Sequence, residues 1–205
     1  MKALFINGSP RKDSNTMIAF NEIIKEFEKE NIEYEIIDVG NKDIRGCMAC
    51  GYCHTHGKCV FNDLVNEAAE KFEKADALII GSPVYYGSAN GSLISFLDRL
   101  FYSSNFDKRM KVGASVVVAR RGGLSATFDE LNKYFTITQM PIASSSYWNQ
   151  IHGCEKGEAK FDEEGLLIMR NLGRNIIFLM RSIELGKEKY GLPEKEKAVF
   201  TNFIR

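Results

Sequence analysis

Residues 2–16, with the sequence KALFINGSPRKDSNT, decide the fold of this chain. The apolar run from Lys2 to Asn7 meets a glycine, and this pattern predicts a buried strand followed by a turn. Apolar positions at helical spacing then extend from Thr16 to Lys29 and predict a helix. A strand that passes through a short loop directly into a helix is the opening of a β-α-β unit, and it indicates an α/β protein.

The same order of elements recurs along the rest of the chain. We predict further strands over residues 33–39, 77–81, 112–119 and 142–146, and further helices over residues 62–74, 91–102, 125–135 and 162–186. Five strands that alternate with five helices predict a parallel sheet covered by helices on both faces. We therefore expect one doubly wound domain over residues 1–187, and a charged tail over residues 188–205 that packs on the domain or on a partner subunit.

Composition limits the partners of the chain. Its 205 residues suffice for one α/β domain, and Lys plus Arg equals Asp plus Glu at 27 each, so the formal net charge is zero. This balance gives no support for nucleic acid or an anionic membrane as a partner. The N-terminus lacks the pattern of a signal peptide, and no stretch approaches the roughly 20 apolar residues of a membrane span. We expect a cytoplasmic protein, in which permanent disulfides are disfavoured.

The loop after the first strand is a candidate phosphate site. Its hydroxyl and amide side chains precede a helix whose N-terminal N–H groups and dipole favour an anion, and Arg11 adds a donor. The candidate residues are Ser9, Arg11, Ser14, Asn15 and Thr16. Neither the Walker A pattern nor the dinucleotide fingerprint G-x-G-x-x-G is present, and a hydroxyl-rich loop suits a terminal monophosphate. An ordinary capped helix start is the alternative, for which Ser14 or Asn15 would suffice.

The segment from Gly8 to Thr16 resembles the FMN phosphate loop of the NADPH-dependent FMN reductase family. Within that family the chain is similar to the iron–sulfur flavoproteins, and the similarity covers roughly residues 1–155. The resemblance implies a flavodoxin-like fold with strand order 2-1-3-4-5, FMN as cofactor, and a homodimer or homotetramer. It also implies NAD(P)H or a protein as the electron donor.

Two more loops lie at the predicted carboxyl edge of the sheet. After the third strand, Pro83 fixes the backbone, and the residues that follow can offer N–H groups and an aromatic face to a planar ring. The resemblance implies that this loop wraps the flavin ring through Pro83, Val84, Tyr85, Tyr86 and Gly87. After the fourth strand, Arg120 and Arg121 are followed by Gly122 and Gly123, so positive charge lies where backbone can approach a ligand closely, with Gly122 as the candidate contact. This charge suits the negative charge of reduced FMN. Either arginine is a candidate for this contact, with an NADPH phosphate as the alternative partner.

Four cysteines follow the second strand within 13 residues, in the pattern Cys47-x-x-Cys50-x-x-Cys53-x5-Cys59. Four thiolates at this spacing can surround a [4Fe–4S] cluster, and the pattern agrees with the compact motif of iron–sulfur flavoproteins. Zinc with help from nearby histidines, or a loop of free thiols, are the alternatives. Cys154 lies outside the motif and is interpreted as an ordinary thiol.

Together these features predict an FMN-binding oxidoreductase or electron carrier, NAD(P)H-dependent and FMN reductase-like, that relays electrons between an iron–sulfur cluster and FMN. Without a cluster, reduction of flavins, quinones or nitro compounds is the expected activity. No catalytic acid or base is predicted, because hydride transfer to a flavin needs none. The alternative from another class is a non-enzymatic redox sensor or metal-binding protein that uses the loop from Cys47 to Cys59. Trp148, Asn149 and His152 are further candidates for lining the flavin pocket.

Overall fold

The first strand lies inside a five-stranded parallel sheet in the computed structural model, which describes residues 1–201 and residue 203. The strands are β1 (Lys2–Asn7), β2 (Glu33–Asp38), β3 (Ala77–Pro83), β4 (Val112–Ala119) and β5 (Gln150–His152). Their order across the sheet is β2-β1-β3-β4-β5, and all four neighbouring pairs are parallel. The predicted α/β fold and strand order are confirmed.

Helices cover both faces of this sheet. They are α1 (Asn15–Lys29), α2 (Tyr52–His56), α3 (Leu64–Lys74), α4 (Gly91–Ser103), α5 (Leu124–Ile137) and α6 (Glu163–Tyr190). The five predicted helices are present with ends shifted by at most four residues, whereas the short α2 inside the cysteine loop was not predicted. Helices α1 and α6 pack on one face of the sheet, and α3, α4 and α5 pack on the other.

The face under α1 and α6 combines an aromatic core with ion pairs between the two helices. Phe5 of β1 packs edge-to-face on Phe20 of α1, with ring centroids 4.9 Å apart. At the margin of this core, the carboxylate of Glu26 is buried and accepts hydrogen bonds from Lys29 and from Arg174 of α6. Burial alone would raise the pKa of Glu26, but these cations outweigh it and the pKa is lowered. The pairing fixes α1, and with it the loop before α1, against α6.

The opposite face is apolar and holds α4 in place. Leu93, Phe96, Leu97 and Leu100 of α4 are fully buried against the sheet and its neighbouring helices. The helix begins at a side-chain cap, because Asn90 Oδ1 accepts a hydrogen bond from the backbone N–H of Ser92 at 2.8 Å. Because this packing fixes α4, the residues on its other side lie in fixed positions beside the loop that contains the cysteines.

The prediction of a fifth strand at residues 142–146 is wrong. The chain pairs with the start of β4 only near Ala143, whose N–H donates to Gly113 O at 2.8 Å, and then leaves the sheet. Residues 144–149 form a bulge that Ser145 and Asn175 tie to α6 through backbone carbonyls. The chain rejoins the sheet at β5, where residues 150–152 pair with the end of β4. Hydrogen bonds to α6 therefore displaced a strand that local sequence favoured.

The C-terminal helix extends further than predicted. It runs to Tyr190, and the segment after it contacts the domain where Arg109 donates to Pro193 O at 3.0 Å. Phe200 and Phe203 are almost fully exposed. The division into a domain over residues 1–187 and a tail over 188–205 stays a prediction. Across the described part of the chain, no helix combines the length with the apolar character that a membrane span requires.

Candidate cofactor sites

The predicted flavin loops meet at the carboxyl edge of the sheet, where they line one cavity of about 150 Å³. Open α/β sheets bind ligands at this edge, beside the point where the strand order reverses. Nine predicted residues line it: Ser9, Arg11, Ser14, Asn15, Thr16, Pro83, Val84, Tyr85 and Arg120. Tyr86, Gly87, Arg121 and Gly122 do not line it, and Val118, Ala119, Gly153 and Cys154 line it without having been predicted.

The start of α1 forms the polar end of the cavity. Ser14 is the helix cap, since its Oγ accepts the N–H of Met17 at 3.2 Å. The amide of Asn15 serves the fold as well: its Oδ1 accepts the N–H of Gly157 and of Ala159, at 3.1 and 3.2 Å. Both side chains therefore position the loop, and the N–H groups of Asn15 and Thr16, ahead of the capped Met17, are left for an anion.

Arg11 stands at the rim of this polar end. Its backbone N–H donates to Ser9 Oγ at 3.4 Å, and its guanidinium reaches Cys154 O at 3.5 Å, while the side chain stays exposed. Ser9 is buried, and its own N–H donates to Asn7 Oδ1 at 3.0 Å. The loop is thus shaped by short-range hydrogen bonds, and Arg11 remains at the surface with most of its donors directed to solvent.

The loop after β3 is a tight hairpin. Tyr85 and Ser88 exchange backbone hydrogen bonds of 2.8 and 3.1 Å, and the two residues between them have positive φ values of 54° and 92°. Two consecutive positive φ values are those of a type I′ turn. Glu130 of α5 fixes the turn, because its carboxylate accepts Ser88 Oγ at 2.9 Å and the N–H of Ala89 at 2.9 Å. Tyr86 at the tip is fully exposed.

Gly123 joins the loops after β3 and β4. A Cβ atom at this position would lie 2.7 Å from Val84 Cγ1 and 2.9 Å from Gly87 Cα, and the φ of +89° also favours glycine. Gly122, the candidate cofactor contact, has open space around it. Arg120 lines the cavity, whereas Arg121 is exposed outside it. Of the two glycines, Gly123 is therefore the one that packs against the loop after β3.

The residues of this edge fit FMN. N–H groups and Arg11 at one end suit a phosphate, and the apolar side chains of Val84, Val118 and Ala119 follow toward Arg120. The volume is below the 300–1,000 Å³ that encloses a drug-sized ligand, so a nucleotide of this size extends beyond the cavity. Tyr86 and Arg121 are exposed and lie outside the cavity.

The four cysteines of the loop line a second cavity, beside α4. Left-handed residues separate them: Ala49 and Gly51 have φ values of +54° and +72°, and each turns the backbone between two successive cysteines. Cys47 and Cys50 are exposed, and Cys53 and Cys59 are partly buried. Its other lining residues are Met48, Ala49, Gly51, Val60, Phe61, Arg99, Tyr102 and Ser103.

Arg99 is a fully buried cation beside this cavity and was not predicted. Its guanidinium makes a two-point ion pair with Asp63, with both distances 2.8 Å, and it donates to Arg45 O at 3.2 Å. Its Nε and one terminal nitrogen donate to Cys59 Sγ at 3.3 and 3.2 Å. Burial alone would lower the pKa of Arg99, but the hydrogen bonds to Asp63 and Cys59 raise it.

Cys59 is also held through its backbone. Its N–H donates to Asn66 Oδ1 at 3.0 Å, and Asn66 Nδ2 donates back to Cys59 O at 3.0 Å. Asn66 lies in the first turn of α3, which Asp63 caps by accepting the N–H of Val65. Asn66 thus fixes the fourth cysteine of the motif directly, and Asp63 supports it through Arg99.

The ligand set around this cavity, more than its volume of about 20 Å³, fits a [4Fe–4S] cluster. All four thiols border one space, and the Oγ of Ser103, a residue 5% exposed, is buried there without a hydrogen-bond partner among the described residues. Within the described part of the chain, no three or more His, Cys, Asp or Glu side chains converge enough to share one metal ion. A [4Fe–4S] cluster does not require several side chains to converge on one ion, because each of its irons binds a separate thiolate.

Three residues suspected of lining the flavin pocket lie elsewhere. Trp148 is half exposed in the bulge before β5, and Asn149 is fully buried with its Nδ2 donating to Ala143 O at 3.3 Å. His152 pairs with Asp162 at 3.3 Å and lines a separate cavity. Arg99 and Ser103 were missed because the sequence marks neither of them: an arginine and a serine in an amphipathic helix are ordinary surface residues.

Comparisons with known proteins agree with this geometry. The model of the NADPH-dependent FMN reductase family matches residues 1–153. An iron–sulfur flavoprotein of Methanocaldococcus jannaschii is 33% identical over 192 residues, which cover 90% of this chain and 100% of the relative.

Two solved structures share the fold. The structure of RosB with bound 8-demethyl-8-formylriboflavin-5'-phosphate has a TM-score of 0.70 at 18% identity, and covers 100% of this chain and 94% of its own. A flavodoxin from the domain Archaea has a TM-score of 0.57 at 15% identity, over 90% of this chain and 99% of its own. At these identities the likeness concerns the fold alone.

Proposed function

The chain belongs to the NADPH-dependent FMN reductase family and is an FMN-binding oxidoreductase, and we propose that it relays electrons between FMN and a [4Fe–4S] cluster. The observation that carries the proposal is that Cys47, Cys50, Cys53 and Cys59 border one cavity with a buried guanidinium beside it. The 33% identical relative is named an iron–sulfur flavoprotein, which supports the same assignment.

FMN would supply the redox chemistry, since it exchanges two electrons with a hydride donor and single electrons with one-electron partners. The chain supplies binding: the first turn of α1 and Arg11 would hold the phosphate, and the turn after Pro83 would border the ring. Glu130 and Gly123 keep that turn in position, as their contacts with Ser88 and Val84 indicate. Val84 and Val118 would give the FMN an apolar wall.

We assign the cation beside the flavin to Arg120. It lines the cavity, whereas Arg121 lies outside it. A guanidinium near the ring stabilises negative charge on reduced FMN and raises its potential. Replacing Arg120 with Met is expected to lower the potential of FMN, and replacing Arg121 with Met is expected to leave it unchanged. Equal effects of the two variants would contradict this assignment.

The cysteine loop would hold the cluster through its four thiolates, with Cys59 fixed in advance by Asn66 and Arg99. The donor is expected to be NAD(P)H or a reduced protein, and the location cytoplasmic. A homodimer or homotetramer is supported by large apolar side chains exposed along α6, namely Leu167, Phe178 and Leu185. The tail after residue 188 is a candidate for contacts with a partner subunit.

A redox-sensing role of the loop is the second candidate, and one observation favours it. Cys47 and Cys50 are exposed, so oxidants and metal ions in solution reach them directly. In that case the thiols would react and FMN would be incidental to the response.

Anaerobic purification tests these proposals together. We expect yellow-brown protein with one FMN and about four irons and four sulfides per chain. NADPH, NADH and a reduced ferredoxin are then offered separately while flavin absorbance is followed, which identifies the donor class. Protein that contains FMN but no iron or sulfide would overturn the relay, and protein unable to bind added FMN would overturn both redox roles of the flavin.

A further inference from the structure

We propose that Arg99 and Ser103, one turn apart on α4, donate hydrogen bonds to the sulfur atoms of the cluster and thereby raise its reduction potential. The inference rests on the proposed function, because it concerns the cluster that the cysteine loop would hold. It assigns a tuning role to two residues outside the cysteine motif. Both act as hydrogen-bond donors, and neither is a ligand of iron.

The hydrogen bonds of Arg99 point to a charged sulfur. All five N–H donors of the guanidinium have acceptors: one goes to Arg45 O, two go to Asp63 and two go to Cys59 Sγ. A neutral thiol is a weak acceptor, so two donors of a fully buried cation are poorly satisfied by it. An iron-bound thiolate is a strong acceptor. Its negative charge would add to that of Asp63 in pairing with the positive charge of Arg99.

Ser103 is the second donor. Its Oγ is buried and lacks a partner among the described residues, although buried hydroxyl groups are nearly always hydrogen-bonded. The residue lines the cysteine cavity, and it follows Arg99 by four positions, so the two share one side of α4. An acceptor in that cavity, such as a thiolate or a sulfide, would complete the hydrogen bonding of Ser103.

The direction of the effect follows from charge. One-electron reduction adds a negative charge to the cluster without breaking a bond, and the electron comes from the donor proposed above. Hydrogen-bond donors and a nearby cation stabilise the more negative state more, so they raise the potential. Removing a donor is therefore expected to lower the potential of the cluster while leaving that of FMN unchanged, since neither residue lines the flavin cavity.

The experiment is a redox titration of the holoprotein after its iron and sulfide have been counted. Arg99→Lys keeps the positive charge and removes the planar guanidinium. We expect the equilibrium constant for one-electron reduction of the cluster to fall about tenfold, which lowers its potential by about 59 mV. Ser103→Ala is expected to lower the potential of the cluster as well, by a smaller amount. Ser104→Ala is the matched control, because Ser104 Oγ is bonded to Leu100 O and does not line the cavity.

The outcomes separate this inference from the proposed function. Wild-type protein without iron and sulfide would overturn both, whereas a cluster with equal potentials in all variants would overturn the inference alone. If the role of Arg99 is purely structural, its replacement should release iron and lower the melting temperature, and the clusters that remain should keep the wild-type reduction potential. If Arg99→Lys retains no iron, Ser103→Ala decides: an unshifted potential in that variant overturns the proposal, and a lowered one supports it.

Discussion

The cavity at the sheet edge and the cavity of the cysteine loop are shaped by different parts of the chain. At the sheet edge the shape comes from the backbone: strand ends, the cap of α1, a type I′ turn at Tyr86 and the close approach at Gly123. Around the cysteines it comes from side chains, chiefly Arg99 and Asn66, which fasten a loop that lies outside the sheet.

This difference has a consequence for how each site tolerates change. Backbone at the ends of parallel strands is positioned by the whole sheet, so most single side chains at that edge contribute modestly. A loop fastened by a few side chains loses its shape when one of them is removed. We therefore expect the loss of a cysteine ligand to abolish the cysteine site outright, and single substitutions at the flavin site to weaken binding in degrees.

The largest effect is expected from Cys59→Ala. It removes one of four ligands at the position that Asn66 and Arg99 hold, so iron and sulfide should be lost almost completely while FMN content stays unchanged. Metal analysis and flavin release measure the two contents in one sample. Cys154→Ala, outside the loop, is the control and should keep its iron. Iron retained in Cys59→Ala would contradict the expectation that the cysteine site depends on single side chains more strongly than the flavin site does.

A smaller but clear effect is expected from Gly123→Ala. The new Cβ would meet Val84 and Gly87, and the positive φ adds strain, together about 1–3 kcal/mol. FMN affinity, measured by quenching of flavin fluorescence, should fall roughly tenfold or more. Gly122→Ala is the matched control, since its Cβ enters open space, and should bind FMN nearly as tightly as the wild type. Equal losses in both variants would contradict the role of Gly123.

Glu130→Gln is expected to weaken FMN binding by a factor of about five. Its carboxylate accepts hydrogen bonds from Ser88 and Ala89, and replacing a charged acceptor costs about 1 kcal/mol. The same fluorescence titration measures the change. Asp129→Asn makes a similar change at an exposed neighbour on α5, and should have no effect. A loss of iron in Glu130→Gln would show that the two sites are less independent than their geometry indicates.

The ion pairs between α1 and α6 should make the stability of the flavin region depend on pH. Because the pKa of Glu26 is lowered, its contribution is present above the ordinary value of 4.5 and is lost as pH falls through the folded value. Glu26→Gln should lower the free energy of unfolding by about 1–3 kcal/mol at neutral pH and flatten its decline in acid. Denaturant unfolding of the apoprotein between neutral pH and pH 3 measures both effects.

Glu30→Gln provides the comparison for that series. Glu30 pairs with Arg181 across the same two helices, but both side chains are about half exposed. Such a pair contributes less than about 1 kcal/mol, so its removal should change stability little at any pH. An equal loss in the two variants would show that burial of Glu26 is not what matters.

Much of the fold was predictable from local patterns. The strands β1 to β4 and five helices were found within a few residues, because buried parallel strands are continuous apolar runs and amphipathic helices repeat at 3.6 residues. The fifth strand was misplaced because residues 144–149 exchange sheet pairing for hydrogen bonds to α6, a helix that follows them in sequence. Local pattern carries no information about that competition.

The residues of the sites divide in the same way. The phosphate loop, the turn after Pro83 and Arg120 could be placed together because topology brings the carboxyl ends of parallel strands to one edge. Whether Gly122 or Gly123 meets the neighbouring loop depends on a contact of a few ångströms between two loops, and only the folded structure decides it. The choice of Arg120 over Arg121 as the residue in the cavity has the same origin.

By itself, then, the sequence determined the α/β architecture, the edge of the sheet that carries the flavin loops, and the grouping of four cysteines in one short loop. These follow from periodicity and chain order, which are local properties. Tertiary structure decided that Asn15 binds the loop after β5, that Arg99 enters the cysteine loop from α4, and that Ser103 is buried there with no hydrogen-bond partner among the residues the structure describes. Each of these depends on residues 36 or more positions apart, or on burial, and packing alone brings them together.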